Sequence, residues 1–203
     1  MWKTVFDPEN RFWSFMNKLT DLFFLSLFWL LCSLPVVTMG AATVALYQFT
    51  LKQVDDSEGY AFRSFWKAFR QNFVKATLLW LLTLGLFTFF FFDYYALATV
   101  SLPSILQIAL FGLVTCLALL FQVMDFYAFP LLALYHVGVK KALHDGLVMG
   151  LQHLPTTILV AFLFTVLAVI TYKVPYLAFL CVAVYLFFSS YLFRRVFAAY
   201  EER

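Results

Sequence analysis

The feature that most constrains this chain is a series of five long apolar blocks that contain almost no charge. The blocks occupy residues 22–51, 76–92, 102–124, 156–172 and 174–193. Each is near or above the about 17–25 residues that an α-helix needs to cross a bilayer. The chain has 203 residues, of which 64% are hydrophobic and 12% charged, so it is more apolar than a soluble domain of this size. We therefore expect an all-α, polytopic integral membrane bundle of five to six apolar helices.

The predicted bundle is a single membrane domain over residues 1–203. It starts with a cytoplasmic lead-in at 1–20 and a broken helix or hairpin at 21–51, followed by an amphipathic interfacial helix at 59–73. The expected transmembrane helices are 74–95, 102–130, 155–172 and 174–195. The first 20 residues scatter charges among aromatic residues and contain no short apolar core of a signal peptide, so we expect the amino terminus to be retained.

The first apolar block is interrupted at its centre by the stretch SLPVVTMGAAT, residues 33–43. A straight helix over 22–51 would be about 45 Å long, whereas the hydrocarbon core is about 30 Å thick. A break between Pro35 and Gly40, with Thr38 inside it, would leave two shorter arms. One alternative is a hairpin that crosses fully or is re-entrant, and the other is a single tilted helix with a proline kink. The small residues that follow the break either pack closely or line a cavity, and packing is the favoured interpretation.

The distribution of basic residues favours the hairpin. Cytoplasmic flanks of membrane proteins collect Lys and Arg. If the chain turns near Pro35, every Lys and Arg except Lys173 faces the cytoplasm, together with both termini. A straight first helix would instead place Lys3, Arg11 and Lys18 on the outside. We therefore predict a hairpin, with both termini in the cytoplasm.

Two segments between the apolar blocks are predicted contact surfaces on the cytoplasmic side. In residues 55–73, aromatic residues recur at helical spacing among cations, which predicts an amphipathic helix in the inner headgroup layer. This helix is either a surface anchor, the favoured interpretation, or a docking platform for a cytoplasmic partner. The segment 139–155 is a second expected cytoplasmic helix, which leads into the membrane at Pro155. The candidate contacts with lipid or a partner are Arg63, Trp66, Lys67, Arg70, Lys140 and Lys141.

No familiar catalytic or phosphate-binding motif occurs in the chain, so we predict no catalytic residue, no metal and no cofactor, and we expect no nucleic-acid partner. An acid within an apolar segment is costly, which singles out Asp125. Counting from Pro103 places Asp125 near the inner headgroups, and the alternative is a polar pathway with Gln122. An enzyme would require Asp125 to converge with the histidines, which are His136, His144 and His153.

The remaining residue types suggest no special chemistry. Cys32, Cys116 and Cys181 lie in three separate apolar blocks, and we expect all three to be small buried hydrophobic residues. The chain contains 27 Phe, 11 Tyr and 5 Trp, which we expect to face lipid or to form interfacial belts.

Several short stretches resemble a known family of bacterial membrane proteins. These stretches are Trp29-Leu30-Leu31, Leu34-Pro35-Val36-Val37-Thr38-Met39-Gly40-Ala41-Ala42-Thr43, Ala45-Leu46-Tyr47, the helix through Phe65, Phe69, Asn72 and Phe73, and Pro130-Leu131-Leu132. On these residues the chain resembles the YesL-like family, whose defining domain has no known function. Ser26 departs from the family, in which an asparagine usually stands at this position.

The resemblance implies a role as well as a fold. Genes of the YesL-like family often accompany sugar-uptake transporters, which implies a non-enzymatic inner-membrane protein that is accessory or regulatory to carbohydrate uptake by an ATP-driven transporter. The implied partners are the lipid bilayer and a sugar-uptake transporter complex. The alternative is a small-solute transporter or permease subunit in its own right, with a polar cavity bounded by the break at Pro35 to Thr43, Gln107, Gln122 and Asp125.

Overall fold

The computed structural model describes residues 11–55, 60–100, 103–135 and 137–201. These residues form seven α-helices: α1 (Arg11–Ser33), α2 (Met39–Val54), α3 (Ala61–Thr99), α4 (Ser104–Tyr135), α5 (Val139–Gln152), α6 (Leu154–Lys173) and α7 (Ala178–Glu201). Short 3₁₀ turns at Val36–Thr38 and Pro175–Leu177 precede α2 and α7. The predicted all-α membrane bundle is confirmed. The first half of the predicted lead-in, residues 1–10, lies outside the described residues.

Four stretches are long and apolar enough to cross a membrane. They are α3, α4, α6 and residues 175–198, which comprise the second 3₁₀ turn and most of α7. The four predicted transmembrane segments fall on these stretches. Helix α2 has only 16 residues, fewer than a full crossing requires.

Residues 11–54 form an antiparallel hairpin of α1 and α2. At its open end, Lys18 Nζ donates a hydrogen bond to the Gln53 carbonyl at 2.9 Å, and Gln53 Nε2 donates to the Lys18 carbonyl at 3.2 Å. Closer to the turn, the indole Nε1 of Trp29 donates to Thr43 Oγ1 at 3.1 Å. The chain therefore doubles back between the two helices, as the hairpin interpretation predicted, and does not continue as one kinked helix.

The turn of the hairpin is held by Thr38. Its hydroxyl oxygen lies 2.6 Å from the Cys32 carbonyl oxygen and 2.8 Å from the Pro35 carbonyl oxygen. The bond to Cys32 satisfies an acceptor that the end of α1 leaves without a helical partner. Pro35 is exposed beside Leu34, Val36 and Val37, which are also exposed. The tip of the hairpin is therefore an apolar surface.

Helix α2 is the centre of the bundle, although it is the second shortest helix of the seven described. Eleven of its 16 residues are buried, and α1, α3, α4 and α7 pack around it. Gly40 allows the closest approach, because a Cβ atom there would lie 2.6 Å from the Ala76 carbonyl oxygen and closer still to Trp80 Cβ. Small residues let membrane helices approach in this way, so the packing interpretation of Gly40 agrees with the structure.

The open end of the hairpin and the ends of α4 and α7 lie at one end of the molecule, which we call the basic end. Arg194 Nε on α7 donates to Asp55 Oδ1 at 2.7 Å, just beyond α2. The rings of Tyr135 on α4 and Phe197 on α7 are 5.9 Å apart. Lys173, where α6 ends, lies at the opposite end.

Two predicted segments are one element in the structure. The amphipathic helix expected at 59–73 and the transmembrane helix expected at 74–95 form the single helix α3, which has 39 residues. The sequence contains no Gly or Pro between Tyr60 and Gly85, so nothing interrupts the helical hydrogen bonds. The composition therefore changes from amphipathic to apolar along one continuous helix, because the two parts of that helix have different surroundings. Gly59, the expected first residue, lies outside the described residues.

Beyond the core, the helices separate into two antiparallel pairs that we call the outer arms. The first arm is residues 80–121 of α3 and α4, and the second is residues 161–180 of α6 and α7. No described residue of either arm is buried. Within the first arm, Tyr94 OH lies 2.7 Å from Thr115 Oγ1, and Gln107 Nε2 donates to the Leu97 carbonyl at 2.9 Å. Each arm therefore packs mainly on itself and leaves its remaining faces to the membrane.

The cysteine prediction is wrong at one position. Cys181 is buried and Cys32 is partly buried, but Cys116 is exposed on the first arm. Apolar composition predicts burial, but the outer half of α4 packs against α3 on one side and leaves Cys116 on an uncovered side. All three cysteines are free thiols.

Candidate functional site: an aromatic cavity with one carboxylate

A cavity of about 490 Å³ lies where the two outer arms meet the core. The hairpin contributes Trp29, Thr43 and Tyr47 to its wall. Helix α3 contributes residues from Trp80 to Phe87, and α4 contributes residues from Gln122 to Phe129. Phe164 of α6 and residues 182, 185 and 186 of α7 complete it. Six of the seven helices therefore meet at this site, which α5 does not line.

The polar centre of the cavity is Asp125. Thr83 Oγ1 on α3 donates to Asp125 Oδ1 at 2.8 Å, so the carboxylate links α3 to α4. Gln122, one helical turn before Asp125, lines the same cavity. The structure therefore brings together two of the predicted site residues, Gln122 and Asp125, beside the Thr43 end of the hairpin break.

The depth of Asp125 differs from the interfacial position obtained by counting from Pro103. Phe126, the next residue, stacks edge-on against Phe164, with ring centroids 5.5 Å apart. Phe164 lies near the middle of α6, a helix of 20 residues that is close to the length of one crossing. The cavity therefore lies level with the middle of α6, one of the four helices long and apolar enough to cross a membrane. Counting along α4 misjudged this depth because α4 has 32 residues and is longer than a bilayer is thick.

Most other polar groups around the cavity are occupied within the protein. Trp29 Nε1 donates to Thr43 Oγ1, and Trp80 Nε1 donates to the Val36 carbonyl at 2.8 Å. The hydroxyl of Tyr47 lies 3.2 Å from Ser189 Oγ. These bonds fix the orientation of the aromatic rings, which then present apolar faces to the cavity.

The aromatic wall of the cavity was not predictable from the sequence alone. Aromatic residues are common at the lipid-facing and interfacial positions of membrane helices, which predicts that Trp29, Tyr47, Trp80 and Tyr185 lie there. The structure places all four in the cavity wall. The available signal was a hydrogen-bonding side chain, Thr83, at the centre of an apolar block. Its pairing with Asp125 depends on the packing of α3 on α4, which is not visible in a single sequence.

The predicted cytoplasmic contacts lie on two other surfaces. Arg63, Trp66, Lys67 and Arg70 are exposed on α3 together with Phe62 and Gln71, and we call this set the basic stripe. The stripe lies opposite the buried face of α3, which consists of Phe65, Ala68, Asn72, Ala76 and Leu79.

Lys140 and Lys141 are exposed at the start of α5. Helix α5 packs along α4 through glycines: a Cβ atom at Gly146 would lie 2.9 Å from the Met124 carbonyl oxygen, and one at Gly150 would collide with Val123. The expected helix at 139–155 is present, and Pro155 lies in the first turn of α6, as predicted. Helix α5 is therefore part of the bundle and presents its two lysines on the outside.

The histidines do not converge on Asp125 in the described part of the chain. The side chain of His144 is 77% exposed and its Nδ1 lies 3.1 Å from Asp145 Oδ1. His153 lies between α5 and α6, and neither residue lines the cavity. His136 lies outside the described residues. No group of three or more metal-binding side chains occurs among the residues described.

Comparison with known proteins gives one match. A family model described as a protein of unknown function, DUF624, matches residues 22–94. The matched segment contains most of α1, all of α2 and α3 as far as Tyr94, and therefore includes the hairpin turn, the basic stripe and the α3 wall of the cavity. No curated protein and no solved structure matches the chain.

Proposed function

We propose that this chain is a non-enzymatic bacterial inner-membrane protein that is accessory or regulatory to carbohydrate uptake by an ATP-driven transporter. In this role it contacts the transporter complex and does not itself carry out a reaction. The observation that carries the proposal is the basic stripe, because it combines exposed cations with exposed aromatic rings on a helix that also enters the bundle.

The composition of the basic stripe favours a protein partner over a lipid anchor. An interfacial anchor needs one apolar face to bury in lipid. On α3, Phe65 is fully buried against the bundle, so part of that aromatic face is already occupied. Phe62 and Trp66 remain 53% and 45% exposed, among Arg63, Lys67 and Arg70. Aromatic residues and Arg together are typical of the residues that dominate protein interfaces.

The class of partner comes from the resemblance to YesL-like proteins, whose genes often accompany sugar-uptake transporters. The residues that carry this resemblance include the hairpin turn and the α3 helix, which are also the part that the family model of unknown function matches. Membership of the YesL-like family and the link to carbohydrate uptake are part of the proposal.

The orientation follows from charge. Lys18, Lys52, Arg194 and Arg195 lie at the basic end, and cytoplasmic flanks are enriched in such residues. We therefore assign the basic end, with both termini, to the cytoplasm. The basic stripe, and Lys140 and Lys141 as a second contact, then face the side on which the ATPase of an importer operates.

The test is co-purification in mild detergent from the native membrane, with mass spectrometry of the captured proteins. We expect a carbohydrate permease or its ATPase to co-purify with the wild-type protein, and Arg63→Glu/Lys67→Glu/Arg70→Glu to lose it. The comparison variant, Lys140→Glu/Lys141→Glu/Arg195→Glu, reverses the same number of charges outside the stripe, at the second contact, and should lose clearly less of the partner than the stripe variant. A wild-type protein that never captures a transporter component contradicts the proposal, and loss only in the control would move the contact to α5.

A second candidate is a small-solute transporter or permease subunit, and the cavity with Gln122 and Asp125, level with the middle of α6, favours it. In this case the purified protein alone should take up solute into vesicles. Asp125→Asn should slow that uptake, and equal uptake by the variant would exclude a path through this cavity.

A further inference from the structure

We propose that the aromatic cavity binds an amphipathic organic cation, with an amine or quaternary ammonium group joined to an apolar body. This inference goes beyond the accessory role, because it assigns a ligand class to a site that has no part in the partner contact. It rests on three features of the cavity, which are its carboxylate, its aromatic wall and its opening between the two outer arms.

The cavity carries a negative charge, and no positively charged side chain in the described part of its wall neutralises it. Asp125 is the single ionisable acid among the described residues that line the cavity, and no Lys, Arg or His is among them. Thr83 donates to Asp125 Oδ1, which leaves Oδ2 without a hydrogen-bond partner among the described residues. A carboxylate in an apolar environment is costly unless it is paired, so a cation in the cavity would complete the site.

The rings of the cavity suit a cation with an apolar body. The cavity that holds the carboxylate is also lined by aromatic rings, among them Trp29, Tyr47, Trp80, Phe126 and Tyr185. The faces of such rings attract ammonium groups, most strongly where water is excluded. The volume of about 490 Å³ is within the range of small-molecule sites, which is about 300–1,000 Å³.

The same wall disfavours neutral sugars and anions. A sugar needs many hydrogen-bonding groups, but Trp29, Tyr47 and Trp80 already use theirs on Thr43, Ser189 and the Val36 carbonyl. An anionic group, such as a phosphate, would face Asp125 without a compensating cation. A lipophilic cation satisfies the carboxylate and leaves the internal hydrogen bonds intact.

Access to the cavity is from the membrane. Phe87 on the first outer arm and Phe164 on the second line the cavity and are 68% and 44% exposed. The cavity therefore reaches the surface between the two arms, where a ligand that partitions into lipid would enter.

The experiment is binding of tetraphenylphosphonium to the purified full chain in detergent, measured by equilibrium dialysis against detergent alone. Tetraphenylborate, which has nearly the same shape and the opposite charge, is the matched probe. We expect saturable binding of the phosphonium at one site per chain and at least tenfold weaker binding of the borate. Asp125→Asn should weaken phosphonium binding about tenfold or more. Asp93→Asn changes an acid of the first outer arm that does not line the cavity, and it should leave binding unchanged.

A second variant keeps the test decisive if Asp125→Asn does not fold. Val182→Trp retains the carboxylate but fills part of the cavity, so it should weaken phosphonium binding by a similar factor. The proposal is overturned if the wild-type protein does not bind the phosphonium above the detergent background, or if it binds both probes equally. It is also overturned if folded Asp125→Asn or Val182→Trp binds as tightly as wild type. Co-purification with a transporter is a separate readout, so either proposal can fail alone.

Discussion

At the scale of single residues, the contact between α2 and α3 depends on the missing side chain of Gly40. An alanine there would push against the backbone of Ala76 and the side chain of Trp80, neither of which is a flexible chain end. We predict that Gly40→Ala lowers the free energy of unfolding by about 1–3 kcal/mol. The measurement is reversible unfolding of the purified protein in mixed micelles with increasing denaturing detergent.

Gly85→Ala is the matched control for Gly40→Ala. Gly85 is inside α3, and a Cβ atom there would meet nothing within 4 Å. The substitution should leave stability unchanged or raise it by up to about 1 kcal/mol, because Ala is the better helix former. Equal losses in the two variants would contradict the close packing of α2 on α3.

Single residues also mark the limits of the sequence interpretation. The break at Pro35 and Gly40 could be recognised, because these residue types act on the backbone itself. The depth of Asp125 and the exposure of Cys116 could not, because both depend on how far a neighbouring helix extends. Asp125 lies by Phe164 in the middle of α6, and no count along α4 contains that information.

At the scale of helices, α3 carries the main difference between expectation and structure. We predict that the amides of residues 72–77, at the expected boundary between two helices, exchange with deuterium as slowly as those of residues 86–91 in the same helix. The reason is that a continuous helix keeps its backbone hydrogen bonds across the change in composition. Hydrogen exchange with mass spectrometry on the detergent-purified protein measures this.

Fast exchange confined to residues 72–77 would contradict the continuous helix α3 and would support two separate helices. The expectation of two helices came from the change between the charged stretch around Arg70 and the apolar stretch after Ala76. The composition of a helix indicates whether it lies in water, lipid or protein. Its ends are determined by helix-breaking and capping residues. The α1–α2 hairpin was predicted correctly because both kinds of signal, a break at Pro35 and a charge pattern, agreed there.

At the scale of the whole molecule, the ion pair between Asp55 and Arg194 holds the end of α2 beside the end of α7. With the assigned orientation, we predict that Lys18→Cys and Arg195→Cys react with an impermeant maleimide only after the membrane is opened. Tyr172→Cys, at the opposite end, should react in intact cells. The background for labelling needs Cys32, Cys116 and Cys181 replaced by serine or alanine.

Labelling of Lys18→Cys and Arg195→Cys on opposite sides of the membrane would contradict the fold. Labelling of both from the outside would preserve the fold and reverse its orientation. The first outcome tests the hairpin, and the second tests the charge argument, so the two are separable.

The overall arrangement of helices was only partly predictable. Apolar length and basic flanks were sufficient for the all-α class, the hairpin and the four later spans. They did not reveal that the core gathers around the short helix α2, or that the outer arms separate and leave a cavity between them. The central position of α2 depends on the small residues of its faces, which let neighbouring helices pack closely. Examples are Ala41, Ala42 and Ala45, all of which are fully buried.

One uninterrupted helix carries both the basic stripe and one wall of the cavity, since Lys67 and Thr83 belong to α3. The helix has no break between the two positions. A rotation of α3 caused by a protein bound at the stripe would therefore also move the α3 wall of the cavity. In the same way, a ligand seated against Thr83 would displace the stripe, so the two proposed binding events would be energetically coupled through α3.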